Sequence, residues 1–385
     1  MSKGSAVSDS ILLSRVQSTV GVGLFAAACL VLFSMNLRAS SGTEGAAFLD
    51  IPVGAGPAAL GSAYTALASD AYAPIYNPAG LGFLNNAEVA AQHLSYLESI
   101  NYEFGSFVLP LSRRPSAGHE GATLGALGFA VQYLGTGDIT QTNPDGTSAN
   151  APYSDHYAAY SLAYGRKIRD NLSLGATGKA VQGKLADVSA TAYAADLGAL
   201  YAANEKLALA ATLTNLGSKL TFENEGDSLP LAFHLGAAYK IENHLKSTVE
   251  GVYNKTGLFS GRAGFEWSPL EAISLRAGYK TDTTKELSAL SGLTVGLGLH
   301  IFGQEFAYAW LPYGDLGDTQ YFSLLLKFGG KEEERKNLIQ YNAIKLHRVA
   351  QSMKPEDPEY QQLMRLLRDD EEKTALLPAA GGRQP

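Results

Sequence analysis

Six charged residues occupy alternating positions on neighbouring segments in the second half of the chain: Glu250, Arg262, Glu266, Arg276, Lys280 and Glu305. Carboxylates interleaved in this way with guanidinium and ammonium groups form ion pairs. Catalysis would need a further signature, and the sequence holds no His-Glu-x-x-His, Gly-x-Ser-x-Gly, Walker loop or paired zinc ligands. The 7 histidines are scattered, with His93, His156, His234 and His300 on separate segments, as polar wall residues rather than metal ligands. The only cysteine, Cys29, lies in the first apolar run, so the rest of the chain has no thiolate chemistry and no Cys-based zinc site. Gly21-x-Gly23 falls in the same run and carries no dinucleotide meaning. Asp145-Gly146 and Gly314 to Asp318 are acidic turns, the nearest approach to a calcium site. These residues point away from an enzyme and imply no cofactor or metal.

The ionic residues need rigid elements to hold them. From Asn86 to Gly329 the sequence alternates with a period of two. Fourteen strands are expected: Ala87–Leu97, Tyr102–Leu111, Thr123–Leu134, Asp155–Arg166, Leu172–Lys184, Thr191–Ala202, Leu207–Leu216, Leu231–Ile241, Leu245–Asn254, Phe259–Trp267, Ile273–Thr281, Leu293–Phe302, Phe306–Leu311 and Tyr321–Phe328. Phe265 and Trp267 alternate with Gly264 and Glu266, and Leu275 and Tyr279 alternate with Arg276 and Lys280. Large apolar residues on one face and small or polar ones on the other fit a transmembrane barrel. They also fit a soluble sandwich with its apolar faces inward, and periodicity does not separate the two.

Composition and loop parity favour the barrel. Charged residues make up only 17% of the chain, with 41 glycines and 20 tyrosines, against about 25% charged in soluble domains. The net charge of −7 argues against nucleic acid as a partner. Connections after even-numbered strands are short, such as Asn204–Lys206 and Gly303-Gln304, except Ser112 to Ala122. The longest remaining ones fall on the other side: Gly135 to Ser154, Gly217 to Pro230 and Asp282 to Gly292. Short periplasmic turns and longer outer loops have this pattern, which places both barrel ends in the periplasm. Tyr153, Tyr157, Trp267, Trp310 and Tyr313 are expected near the membrane interfaces. The six ionic residues then face the lumen, since a charge on the lipid side costs about 2–4 kcal/mol at mid-bilayer.

Three further segments flank this region. Residues 1–39 read as a signal peptide, with an apolar run from Val20 to Phe33 and a cleavage point after Ala39. Cys29 is a poor match to a lipoprotein site. Residues 40–85 are weakly charged and rich in small residues. Pro57 suits a first helical turn, Ala58 to Ala68 is helix-compatible, and Pro74 and Pro78 stop any helix before the turn chemistry of Asn77-Pro78-Ala79-Gly80. Such a segment is either a capping helix on a globular core or a plug inside a barrel. Residues 330–385 begin with a charge run and continue as two amphipathic helices, striped by Ile339, Ala343, Leu346, Ala350 and Met353 and then by Tyr360, Leu363, Leu366 and Leu367. They pack on each other, cap the barrel or bind a periplasmic partner.

The order of these features, together with Asn77-Pro78-Ala79-Gly80-Leu81 and the upstream run Gly61-Ser62-Ala63-Tyr64-Thr65-Ala66, resembles the PorV/PorQ family, a branch of the FadL-like outer-membrane barrels. The resemblance covers roughly residues 44–329. It implies a fourteen-stranded outer-membrane barrel behind an N-terminal hatch carrying Asn77, Pro78, Ala79 and Gly80. It also implies one of two functions. As a partner in type IX-like secretion, the chain would bind secreted-protein cargo through its outer loops. As an uptake channel for long-chain fatty acids or similar hydrophobic molecules, it would have an apolar pocket between plug and wall, lined by Tyr64, Leu67, Ile75 and Tyr76. A plainer possibility is a structural barrel that scaffolds periplasmic partners. Outer-membrane lipid surrounds the wall in every case.

Overall fold

The computed structural model describes residues 44–96, 100–112, 123–137, 154–282 and 289–328. The expected signal peptide, the C-terminal helices, Tyr153 and most of the Gly135 to Ser154 loop lie outside the described residues. The chain divides into two units, Met1–Leu326 and Lys327–Pro385. Of the second, only Lys327 and Phe328 are described, as the end of the last strand.

Fourteen strands close into one antiparallel barrel. They are β1 (Ala87–Ser95), β2 (Asn101–Ser112), β3 (Thr123–Gly135), β4 (His156–Arg169), β5 (Leu172–Leu185), β6 (Val188–Ala202), β7 (Leu207–Gly217), β10 (Ala232–Glu242), β11 (Leu245–Asn254), β12 (Phe259–Leu270), β13 (Ile273–Lys280), β14 (Leu293–Ile301), β15 (Gln304–Pro312) and β16 (Asp318–Phe328). Each pairs with its neighbour in sequence, β7 pairs with β10, and β1 meets β16 to close the wall. All fourteen expected strands are present, most with ends within a few residues of expectation. Absent from the sequence reading was a short hairpin, β8 (Lys219–Phe222) with β9 (Glu225–Ser228), inside the Gly217 to Pro230 loop.

The faces follow the alternation. Phe129, Leu162, Tyr193, Phe265, Trp267 and Phe306 are exposed on the outside, where a transmembrane barrel meets lipid. Alanine, glycine, serine and threonine dominate the inner face, because the lumen is already filled. Residues 44–86 run inside the barrel and form much of its core, with Val53, Ala55, Ala58, Ala59, Ala71, Ala73 and Leu81 almost completely buried. The barrel therefore encloses a plug.

The plug is less helical than its composition predicts. Its α-helices are α1 (Ala55–Ala59) and α2 (Ala73–Tyr76), with 3-10 turns at Ala47–Asp50 and Pro78–Phe83. The helix-compatible run stops at Ala59 because Gly61 and Ser62 both take left-handed φ values of about 60°, which a right-handed helix excludes. The wall enforces this path. A Cβ on Gly278 would lie 2.1 Å from the Gly61 nitrogen, and one on Gly264 would lie 2.5 Å from the Leu60 carbonyl oxygen. Gly264 and Gly278 are direct cross-strand partners, so they leave one gap into which Leu60-Gly61 fits.

Two residues expected at the membrane interfaces turn elsewhere. Tyr157 packs against Phe48 of the plug with ring centroids 5.6 Å apart. Tyr313 is buried against Tyr96 and Lys280. Trp267 does face outward, and the Trp310 indole donates to Asp318 at 2.7 Å.

Candidate functional site

The site is the interface between plug and wall. Asn77 stands at its centre with no exposed surface. Its side-chain amide donates to the carbonyl oxygens of Thr65, at 3.0 Å, and of Ala199 in β6, at 3.3 Å, while its Oδ1 accepts from the Ala79 N–H at 3.0 Å. This last bond caps the turn that Pro78 begins. Asn77, Pro78 and Ala79 press on a row of wall glycines. Gly165 in β4 pairs with Gly175 in β5, and Gly175 pairs with Gly198 in β6. A Cβ there would fall 2.1 Å from the Pro78 carbonyl oxygen, 2.3 Å from the Pro78 carbonyl carbon and 2.2 Å from Asn77 Oδ1, respectively. Gly80 has no room either, because its Cβ would fall 1.4 Å from the Ala68 carbonyl oxygen. The four motif residues thus form a buried clamp between plug and wall.

The wall reaches back with side chains. Thr294 accepts from the Gly61 N–H at 3.0 Å and donates to the Ala59 carbonyl at 2.8 Å. Thr248 donates to the Ala63 carbonyl at 2.8 Å, and Glu250 accepts from the Thr65 N–H at 3.0 Å. Ser323 accepts from the Ala55 N–H at 3.0 Å, Glu88 accepts from the Ala71 N–H at 3.1 Å, and Gln92 accepts from the Gly54 N–H. A plug with little regular structure has many unpaired backbone groups, and these bonds satisfy them.

The six ionic residues all face inward, and five of them form two clusters. Arg276 donates to Glu266 at 2.8 Å and to Glu305 at 2.5 Å, and Glu266 also accepts from Lys246 at 2.7 Å. Gly298 and Gly56 leave the room that Arg276 needs to reach Glu305. In the second cluster Arg262 lies 3.7 Å from Glu250 and 3.1 Å from Asp282, and Glu250 contacts His234 at 2.9 Å. Lys280 joins neither cluster directly. It is the cross-strand partner of Arg262, a like charge, and its ammonium lies over the Tyr313 ring at 5.4 Å. The sequence reading missed a third group. Lys179 pairs with Asp196 at 2.7 Å, both almost fully buried. Asn215 donates to Asp196 through its backbone N–H at 2.7 Å and accepts from Lys179 at 2.9 Å, held in a bulge with φ of 61°. Lys179 and Asp196 lie on inward positions of expected strands, so the rule that found the other six would have found them.

The residues expected to line one apolar pocket are dispersed. Ile75 and Tyr76 border a cavity of about 60 Å³ together with Asp50, Thr65, Lys179, His234 and Arg262. Leu67 borders a different cavity, of about 360 Å³, with Ala66, Ala208 and Ala238. Tyr64 packs edge-on against Tyr72 and Tyr76, and its hydroxyl donates to Asp70. Tyr76 donates to the Val53 carbonyl at 2.9 Å. The first cavity is polar on one side, so it is not the wholly apolar pocket expected. Asp50 is exposed at this cavity, and desolvation by the protein around it pushes its carboxyl up to about 7 against the pull of Arg262.

Thr65 lines the smaller cavity and the next residue, Ala66, lines the larger. One stretch of plug backbone therefore divides them. It is held by Glu250 and Thr248 on one side and lies close to Gly236 on the other.

No family model matches the sequence, and no curated protein matches it. Among solved structures, the chain is similar to the Ralstonia pickettii toluene transporter TbuX, at 12% identity and a TM-score of 0.48, covering 75% of this chain and 100% of that one. It is similar to the CymD monoaromatic hydrocarbon channel at 13% identity and a TM-score of 0.45, covering 72% and 97%. It is also similar to a Pseudomonas aeruginosa FadL homologue at 12% identity and a TM-score of 0.42, covering 71% and 96%. The closed strand order, rather than these likenesses, establishes the barrel.

Proposed function

We propose that this chain is a non-enzymatic outer-membrane barrel that passes small hydrophobic molecules between its plug and its wall. The supporting observation is the pair of cavities divided by the Thr65-Ala66 backbone. A solute reaching the smaller cavity would need only a local shift of this stretch to enter the larger one. The stretch is tied by three bonds from outside it: the Thr65 N–H to Glu250, the Asn77 amide to the Thr65 carbonyl, and Thr248 to the Ala63 carbonyl. An N-terminal signal peptide would deliver the chain to the envelope, with the short-turn end in the periplasm.

Uptake of an uncharged fluorescent probe, N-phenylnaphthylamine, into liposomes holding the purified protein tests the reading. Uptake above that of empty liposomes is expected, and Ala66→Trp, which fills the divide, should abolish it. Equal uptake with and without protein would refute passage.

The PorV/PorQ-like secretion role is the second reading. It draws on the Gly217 to Pro230 loop, whose hairpin offers Glu223, Glu225 and Asp227 at the loop end. The hairpin also folds inward, burying Leu220 and tying the Gly45 N–H to the Ser228 carbonyl at 2.9 Å. A loop engaged in covering its own barrel leaves less surface for cargo. Co-purification of exported proteins with the native chain would favour this role instead.

A further inference from the structure

Two buried polar groups at the smaller cavity lack partners. The Ser62 hydroxyl of the plug and the Arg262 Nε of β12 have no hydrogen bond among the described residues, and both residues line the cavity. The other end of the Arg262 guanidinium is committed, to Asp282 at 3.1 Å and to Glu250 at 3.7 Å. Lys179, also in the lining, is only 6% exposed. It gives N–H groups to Asp196 at 2.7 Å and to Asn215 at 2.9 Å. An ammonium has three, so one is left. The unused groups are therefore donors: the Nε–H, one ammonium N–H and the Ser62 hydroxyl. A buried donor without an acceptor is costly, so whatever fills the space accepts hydrogen bonds. A metal cation offers the Nε–H no acceptor.

We propose that this cavity binds one small monovalent inorganic anion, such as chloride, which fastens Ser62 of the plug to Arg262 and Lys179 of the wall. The placement of charge favours an anion. Lys179 and Arg262 line the cavity, whereas their carboxylate partners Asp196, Glu250 and Asp282 do not. An anion there gains charge-assisted hydrogen bonds from both cations. Asp50 is the one carboxylate in the lining, and His234 is the remaining titratable group of opposite tendency. Size and charge narrow the choice. The cavity measures about 60 Å³, and a water needs about 10–15 Å³, so about four water-sized groups fit and a long alkyl chain does not. A doubly charged oxyanion would set its second charge against Asp50 and the carboxylates behind Arg262. Such a fastening works whether or not a solute passes the plug.

The test uses the full chain in zwitterionic detergent at pH 8, with sodium chloride exchanged for sodium gluconate at constant ionic strength. Gluconate is too large for the cavity. A ligand that binds only the folded state raises its stability in a saturable way. The urea unfolding midpoint is therefore expected to rise with chloride and level off. Ser62→Ala should weaken the apparent chloride affinity at least fivefold, and Asp50→Asn, which removes the opposing charge, should tighten it at least threefold. Thr212→Val is the control. The Thr212 hydroxyl is also buried without a partner among the described residues but lies outside the lining, so its loss should leave the chloride affinity unchanged. Unchanged electrophoretic heat modifiability will show that each variant is folded. Crystals soaked in bromide should show an anomalous peak within hydrogen-bond reach of Ser62 Oγ and Arg262 Nε. Equal midpoints in chloride and gluconate would overturn the proposal and leave water as the occupant. A rise that never saturates would overturn it as a general salt effect, and so would a chloride affinity that Ser62→Ala and Asp50→Asn leave unchanged. A midpoint that follows sodium rather than chloride, with choline as the replacing cation, would assign the cavity to a cation instead.

Discussion

The side-chain amide of Asn77 donates to the backbone carbonyl of Thr65 at 3.0 Å, joining two plug segments 12 residues apart in a fully buried setting. The same amide reaches the Ala199 carbonyl of the wall, and the Asn77 oxygen caps its own turn. One side chain thus fixes the shape of the plug and its position against β6. Asparagine suits the place because it alone among small residues of this shape offers two donors and an acceptor on a planar group.

Asn77→Ala is therefore expected to loosen the plug without opening the barrel wall. Each buried partner left unpaired costs about 1–3 kcal/mol. Hydrogen exchange should show faster exchange at Ala79 and over residues 61–66, with the strand amides unchanged. Loss of protection throughout the strands would show that Asn77 holds the barrel itself.

The glycine row makes a sharper prediction because β5 supplies its own control. Gly175 lies under Pro78, whereas Gly178 of the same strand has open space around its Cβ position. Gly175→Ala should cost about 1–3 kcal/mol or more from overpacking. Gly178→Ala should change stability little. Urea unfolding in detergent followed by tryptophan fluorescence will compare the two, and equal midpoints would mean that the plug yields freely at Pro78.

Most of the barrel was legible in the sequence, and much of the plug was not. Alternation such as Phe265, Glu266, Trp267 reports which face meets lipid, and loop parity reports which end a connection lies on. Both are local properties. The inward placement of Arg276 and Glu305 followed from the same period. The path of the plug depends on register instead. Leu60-Gly61 leaves the helical course because Gly264 and Gly278 happen to lie opposite one another. Ala58 to Ala68 gives no hint of this, since alanine favours helix wherever nothing opposes it. The dispersal of Tyr64, Leu67, Ile75 and Tyr76 has the same origin. Helical spacing would put such residues on shared faces, but an irregular chain sends Leu67 to one cavity and Ile75 to the other.

Arg276 provides a test of the ionic clusters. It has two carboxylate partners, Glu266 and Glu305, both largely buried. Arg276→Met keeps the side-chain volume roughly constant and leaves Glu266 and Glu305 without it. Breaking one side of a buried pair costs about 3–5 kcal/mol. The expected result is a lower unfolding midpoint, partly restored by adding Glu305→Gln. An unchanged midpoint in Arg276→Met would show that Lys246 alone satisfies Glu266 and that the cluster contributes little to stability.

Asp50 makes the packing of the plug depend on pH. Desolvation raises its folded pKa to about 7, with Glu44 and Asp282 adding to the rise and Arg262 and Lys179 opposing it. In the unfolded chain an aspartate titrates near 3.9. Between about pH 4 and pH 7 the folded state therefore holds the extra proton, and stability falls as pH rises through that window. The exposure of Asp50 at the cavity reduces the size of the effect but not its sign. A Ser62→Cys reporter facing the same cavity should react faster with a maleimide as pH rises from 5 to 7.5, after correction for the thiolate fraction. In an Asp50→Asn background this pH-dependent increase should be absent. A slope that persists in Asp50→Asn would assign the effect to a group other than Asp50.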